Sequence, residues 1–143
     1  MLLGRYENSI DAKNRMIIPS KFREDLGYKA ILTKGLDDCL ILFPVSTWAK
    51  QEEILSSLPS SDPKARAYKR FIYSNACDCE IDKQGRILIP ASLRAAVGLN
   101  KELITIGSLD RIEIWAKDKF EDSENGGKLS AEDFADFSDK YQV

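Results

Sequence analysis

Two short stretches carry the side chains of this sequence that are best suited to gripping a polyanion. Asp11-Ala12-Lys13-Asn14-Arg15 and Asp82-Lys83-Gln84-Gly85-Arg86 each place a carboxylate four residues ahead of an arginine, with a lysine between them. Two chemistries fit the pattern. An Asp and an Arg flanking a hairpin loop can form a cross-strand ion pair that steadies the turn, worth about 0–1 kcal/mol when exposed. The loop can instead offer its cations to nucleic acid, because a two-stranded β-ribbon fits the DNA major groove and arginine can bond guanine O6 and N7 bidentately. Both can hold at once, with Asp11 and Asp82 orienting arginines whose outer face stays free. Lys13, Arg15, Lys83 and Arg86 are then the candidate DNA contacts.

Competing chemistries lack their residues. The sequence has no histidine, which removes Ser-His-Asp and Cys-His catalysis. Cys77 and Cys79 lie two apart and point to one strand face, and Cys39 is the remaining thiol; three thiols without histidine fall short of the usual four zinc ligands. They read as reduced cysteines of a cytoplasmic protein, with no metal and no cofactor. The adjacent carboxylates Asp37 and Asp38 solvate a turn rather than converge from separate elements, so neither an enzyme nor a small-molecule substrate is expected.

The two stretches belong to an internal repeat, sought before any other feature. Ile10 to Pro19 is echoed by Ile81 to Pro90 at an offset of 71 residues, and Arg23 and Gly27 meet Arg94 and Gly98 in the same phase. After a one-residue shift, Thr33, Gly35 and Asp38 meet Thr105, Gly107 and Asp110. The units run over about residues 5–44 and 76–116. In each, a hairpin bends around Asn14 or Gly85, residues able to take positive φ, and Pro19 or Pro90 ends its second strand. Short helices follow over Lys21–Leu26 and Ser92–Val97, stopped by glycine. Two further strands complete each unit, Ala30–Thr33 with Leu40–Phe43 and Glu102–Ile106 with Arg111–Trp115. About 40 residues is the lower limit for an independent core, so the units are expected to interleave around one core and a pseudo-two-fold axis.

Between the units, over 45–75, a helical hairpin is predicted. Ser46 caps a helix to about Ser57 with Trp48, Ile54, Leu55 and Leu58 inward, and Asp62-Pro63 opens a second to about Tyr73. The second helix carries Lys64, Arg66, Lys69 and Arg70, either a solvated face or a further DNA contact. Residues 117–143 form an acidic C-terminal helix or tail: Glu124-Asn125-Gly126-Gly127 breaks it, and Phe134 and Phe137 follow at helical spacing.

A net charge of −2 and a pI near 5.3 argue against nucleic acid only if charge is taken as a single number. Residues 1–35 and 61–101 carry balances of +3 and +4, against −3 for 36–60 and −6 for 102–143. Exposed charges are screened beyond roughly 8–10 Å, so a local basic surface can still attract phosphate. No apolar stretch approaches the roughly 20 residues of a membrane span.

The opening Gly4-Arg5-Tyr6-Glu7, the phrase Asp82 to Pro90 and the ending Arg111-Ile112-Glu113-Ile114-Trp115 resemble the MraZ family within the AbrB-like, swapped-hairpin group, over residues 1 to about 120. The resemblance implies an α+β, β-rich fold of two tandem AbrB-like half-barrels forming one pseudo-two-fold barrel with the helical hairpin inserted. It implies a homo-oligomeric ring, commonly octameric, that binds double-stranded DNA at short direct repeats upstream of the division and cell-wall gene cluster and usually represses it. Such a protein is cytoplasmic and nucleoid-associated. The resemblance maps DNA contact onto Lys13, Arg15, Lys83 and Arg86; Asn14, where the second loop has Gly85, departs from the pattern. The competing readings are a ring-forming scaffold protein that does not bind DNA and a single-repeat antitoxin-like relative, against which two repeats in one chain count.

Overall fold

The computed structural model describes residues 1–122 and 127–143. Its strands are β1 (Leu2–Ser9), β2 (Arg15–Ile17), β3 (Lys29–Lys34), β4 (Leu40–Pro44), β5 (Cys77–Glu80), β6 (Arg86–Leu88), β7 (Glu102–Leu109) and β8 (Ile112–Ala116). Its helices are α1 (Ser20–Leu26), α2 (Val45–Ser56), α3 (Pro63–Asn75), α4 (Ala91–Ala96), α5 (Lys117–Glu121) and α6 (Ala131–Tyr141). The architecture is mixed α+β on antiparallel sheet.

The repeat units exchange strands. β1 of the first unit pairs along its length with β7 of the second, from Leu2 opposite Leu109 to Ser9 opposite Glu102. β5 of the second unit pairs with β3 of the first, Ala30 opposite Cys79, and β2 pairs with β6. The large sheet therefore runs β1-β7-β8-β4-β3-β5, with β2 and β6 as a separate ribbon. The expected single barrel does not close through hydrogen bonds, since β1 and β5 are the edges of an open sheet. β2 and β6 are only three residues long, each followed after one residue by Pro19 or Pro90, which has no N–H to extend the ladder, and they pair with each other rather than with β1 or β5.

The central strands are apolar without alternation because both faces of the sheet are covered. On one face Leu32, Leu40, Leu42 and Ile114 join Met16 and Ile87 of the ribbon, with α1 and α4 alongside. On the other, Ile31, Ile41, Phe43 and Trp115 pack under the helical hairpin, where Trp48 lies 5.5 Å from the Phe43 ring and 6.2 Å from Tyr73.

In α2, Trp48 and Leu55, two turns apart, face the sheet, whereas Ile54 is rotated to solvent and exposed, contrary to its expected burial. Leu58 is half-buried. Nor is Ser46 the cap: α2 begins one residue earlier, directly after Pro44, whose fixed φ of −55° ends β4, and no side chain caps it. Asp62 does cap α3, accepting from the Lys64 N–H, with Pro63 in the first turn.

Arg66 and Lys69 of the basic face are engaged by carbonyls of the inter-helix turn, Ser60 at 2.9 Å and Leu58 at 3.2 Å. Beyond β8, Phe120 of α5 packs on Trp115 at 5.6 Å. α6 is a formed helix with a reciprocal Ser130–Asp133 capping box, and Phe134 and Phe137 are exposed on it. The predicted break lies outside the described residues up to Gly126. No described helix is long and apolar enough to cross a membrane.

Candidate nucleic-acid interface

The two Asp-x-x-x-Arg stretches fold alike. Asp11 Oδ1 accepts the backbone N–H groups of Lys13 and Arg15, both at 2.9 Å, while Oδ2 takes Arg15 Nε at 3.0 Å. Asp82 Oδ1 accepts from Gln84 at 2.9 Å and Arg86 at 2.8 Å, and Oδ2 takes Arg86 Nε at 2.8 Å. Each aspartate thus closes its own turn and fixes its arginine. The Arg15 N–H holds the Asp11 carboxyl below its ordinary value of 3.8, helped by the Lys13 N–H and the Arg15 side chain. Asp82 is lowered likewise, first by the Arg86 N–H and then by the Arg86 side chain.

The aspartates engage only Nε. Among the described residues, no partner bonds the terminal guanidinium nitrogens of Arg15 or Arg86, and neither Lys13 nor Lys83 forms an ion pair. The ion-pair and contact readings therefore coexist geometrically: one edge of each guanidinium is anchored, and the fork that matches a guanine edge or a phosphate is open.

The expected hairpin loops do not stand clear of the fold. One bridge, Ile10 opposite Met16, joins the arms of the first loop, and each loop is docked on the other unit. The Asn14 carbonyl accepts from the Ile89 N–H at 3.0 Å and the Gly85 carbonyl from the Ile18 N–H at 2.7 Å. Asn14 has φ 64° and Gly85 φ 77°, the conformation the turn requires. Arg15 and Arg86 accordingly lie partly covered at the ribbon, with side chains 28% and 26% exposed.

The ribbon gathers both arginines on one face. Arg15 pairs with Leu88, Met16 with Ile87 and Ile17 with Arg86. Because side chains alternate along a strand, Arg15, Ile17, Arg86 and Leu88 share one face and Met16 and Ile87 the other. Met16 and Ile87 are buried at 0% and 1% exposure, whereas Ile17 and Leu88 stand 53% and 59% exposed. The outer face is a square of two arginines on one diagonal and two apolar side chains on the other, each diagonal roughly 7–8 Å long.

Sequence reasoning did not single out the apolar diagonal. Its signal was present: Met16-Ile17-Ile18 and Ile87-Leu88-Ile89 are apolar without interruption, although only one face of so short a ribbon can be core. It also missed the task of the repeated Arg23 and Arg94. They donate to the carbonyls of Ile18 and Ile89, the residues that hold the opposite loops, so they brace the turns from behind. Their identity across the repeat was the available clue. Among the described residues no group of three or more His, Cys, Asp or Glu could hold a metal ion.

A family model described as "MraZ protein, putative antitoxin-like" matches residues 1–71 and 72–140. The chain belongs to the MraZ family. The two matched stretches begin at residues 1 and 72, an offset of 71 that equals the spacing between Ile10 and Ile81. A relative named "Transcriptional regulator MraZ" from Thermoanaerobacter sp. (strain X514) is 48% identical over 143 residues, all of both chains. Others of that name, from Acetivibrio thermocellus and Clostridium tetani, are 49% identical over 95% of both chains and 50% identical over 85% of this chain and 86% of theirs. These MraZ proteins are named as regulators of transcription and not as enzymes.

Proposed function

We propose that this chain regulates transcription by binding double-stranded DNA with the outer face of the β2–β6 ribbon. Lys13, Arg15, Lys83 and Arg86 make the contacts, and Asp11 and Asp82 orient the arginines. The observation that carries this reading is the pair of arginines held at Nε on one ribbon face with their terminal nitrogens open. A two-stranded ribbon enters the major groove, and an arginine fork reads guanine there. The names of the relatives and the local basic balance of residues 1–35 and 61–101 support it.

The rest of the reading follows from the family. The units over residues 5–44 and 76–116 are swapped hairpins, a description supported by the exchange of β1 and β5, and residues 45–75 and 117–143 are additions to them. The protein assembles as a ring of about eight copies, acts in the cytoplasm on the nucleoid, and represses the division and cell-wall gene cluster, its own promoter included, by binding short direct repeats.

Retention of sheared genomic DNA on the purified protein, followed by sequencing, tests this. Fragments upstream of the chain's own gene cluster should be enriched, and enrichment should vanish for the Arg15→Ala/Arg86→Ala variant. Absence of any retained fragment, or equal retention by that variant, refutes the reading.

A further inference from the structure

We propose that Ile17 and Leu88 are specificity-determining residues that read the 5-methyl group of thymine in the major groove, beside the bases read by Arg15 and Arg86. This rests on the DNA reading of the ribbon and extends its base-reading side chains from two per protomer to four.

A single exposed isoleucine or leucine needs no explanation on a protein surface. Here two stand at equivalent positions of the repeat, each directly opposite an arginine in the ladder: Ile17 faces Arg86 and Leu88 faces Arg15. Both are more than half exposed, whereas their strand neighbours Met16 and Ile87 fill the core. A strand with one wet face ordinarily alternates apolar and polar residues, and both copies of the ribbon strand break that rule at the same place.

The occupant must suit the cations as well as the apolar groups. Arg15 and Arg86, with their terminal nitrogens open, stand beside Ile17 and Leu88 on this face, and Lys13 and Lys83 lie in the loops that lead into it, so the partner is a polyanion that also offers small apolar groups. The major groove of DNA offers both, phosphates at its walls and thymine methyls on its floor, and side chains that discriminate thymine there do so by apolar contact with that methyl. The spacing is compatible: a diagonal of roughly 7–8 Å covers about two base steps of 3.4 Å. The ribbon face would read guanine along one diagonal and thymine along the other.

The test removes the methyl from the DNA and the side chain from the protein. The genomic fragment retained most strongly by the wild type is synthesised twice, once with thymine and once with deoxyuridine, which differs only by the missing methyl. Burying one such group is worth about fourfold in affinity, so two contacts predict about sixteenfold weaker binding of the deoxyuridine duplex by wild type, and one contact about fourfold. The Ile17→Ala/Leu88→Ala variant should bind the thymine duplex about as weakly as wild type binds the deoxyuridine one, and should no longer distinguish the two. Equal wild-type affinity for both duplexes overturns the inference without needing any variant to fold. So does a variant that keeps the full deoxyuridine penalty, since the methyl then acts through DNA shape, and so does a variant whose oligomer mass changes, since the face is then a protomer interface. Equal affinity of Arg15→Ala and wild type for the thymine duplex is a different failure, that of the DNA reading itself.

Discussion

Gly85 and Asn14 occupy equivalent turns, yet only Gly85 should be irreplaceable. A β-carbon at Gly85 would lie 2.3 Å from the Arg23 guanidinium carbon and Nε, and the residue has φ 77°. Alanine there meets two costs. Left-handed backbone costs about 1–2 kcal/mol, offset by roughly 0.4–1 kcal/mol from a stiffer unfolded chain. Arg23 must also swing away from the Ile18 carbonyl, which it holds at 3.1 Å; the lost hydrogen bond costs about 0.5–1.5 kcal/mol. Together these give a loss of about 0.5–3 kcal/mol, or roughly 1–10 °C in Tm for a chain of this size. Urea unfolding followed by circular dichroism reads it as a lower midpoint with an unchanged slope. Gly85→Asn separates the two costs, because asparagine tolerates positive φ but meets the same guanidinium, so it should fall between wild type and Gly85→Ala. Asn14→Gly should stay within about 0.5 kcal/mol of wild type. A Gly85→Ala midpoint equal to wild type, or a larger loss in Asn14→Gly, would refute the reasoning.

Acid should weaken the fold through the same turns. Asp11 and Asp82 are lowered from 3.8, so the stability their ionised forms contribute is present above that value and disappears as pH falls through the folded-state pKa below it. The urea midpoint of Asp11→Asn/Asp82→Asn should consequently vary less than that of wild type below about pH 4, and parallel profiles would contradict this. Burial pushes the Cys39 and Cys79 thiols up to about 12, and raises Cys77 as well, but Cys77 is only half-buried and so more accessible. Alkylation of the native protein at pH 8, mapped by mass spectrometry, should modify Cys77 first; earlier labelling of Cys39 would show that its packing is looser than described. If a ring presents several ribbons to one duplex, DNA with several boxes in phase should bind at least about tenfold more tightly than DNA with one, and half a helical turn inserted between boxes should remove most of the gain. Equal titration curves for the three duplexes would count against multivalent binding.

Local structure was largely legible in the sequence because local signals determine it. Pro19 and Pro90 mark where the ribbon strands stop, glycine marks the ends of the short helices, and Asp62-Pro63 marks the start of α3. The repeat made the interleaving of the units expected, and β1 and β5 carry it out. What local pattern could not supply was which edge each exchanged strand joins. That depends on pairings between residues about a hundred apart, such as Tyr6 with Thr105, and it left the sheet open rather than closed.

The loop residues were legible as chemistry but not as geometry. Asp-x-x-x-Arg suggested an ion pair or a contact, and only the positions of Nε and Oδ2 show that the pair leaves the guanidinium fork open. Ile54 was misplaced for a related reason: one residue along a helix turns a side chain by about 100°, enough to carry it from core to solvent beside the buried Leu55.

The central claim is that Arg15 and Arg86 read bases with a forked donor rather than attract phosphate as point charges. At fixed salt, the ratio of affinity for the selected duplex to that for a scrambled duplex of equal length separates these mechanisms. Bidentate guanine contacts contribute about 1–3 kcal/mol of discrimination each, and lysine keeps the charge but lacks the arginine fork. For Arg15→Lys/Arg86→Lys the account predicts scrambled-duplex affinity close to wild type and a specificity ratio reduced at least about tenfold. An unchanged ratio, with both affinities intact, would contradict it.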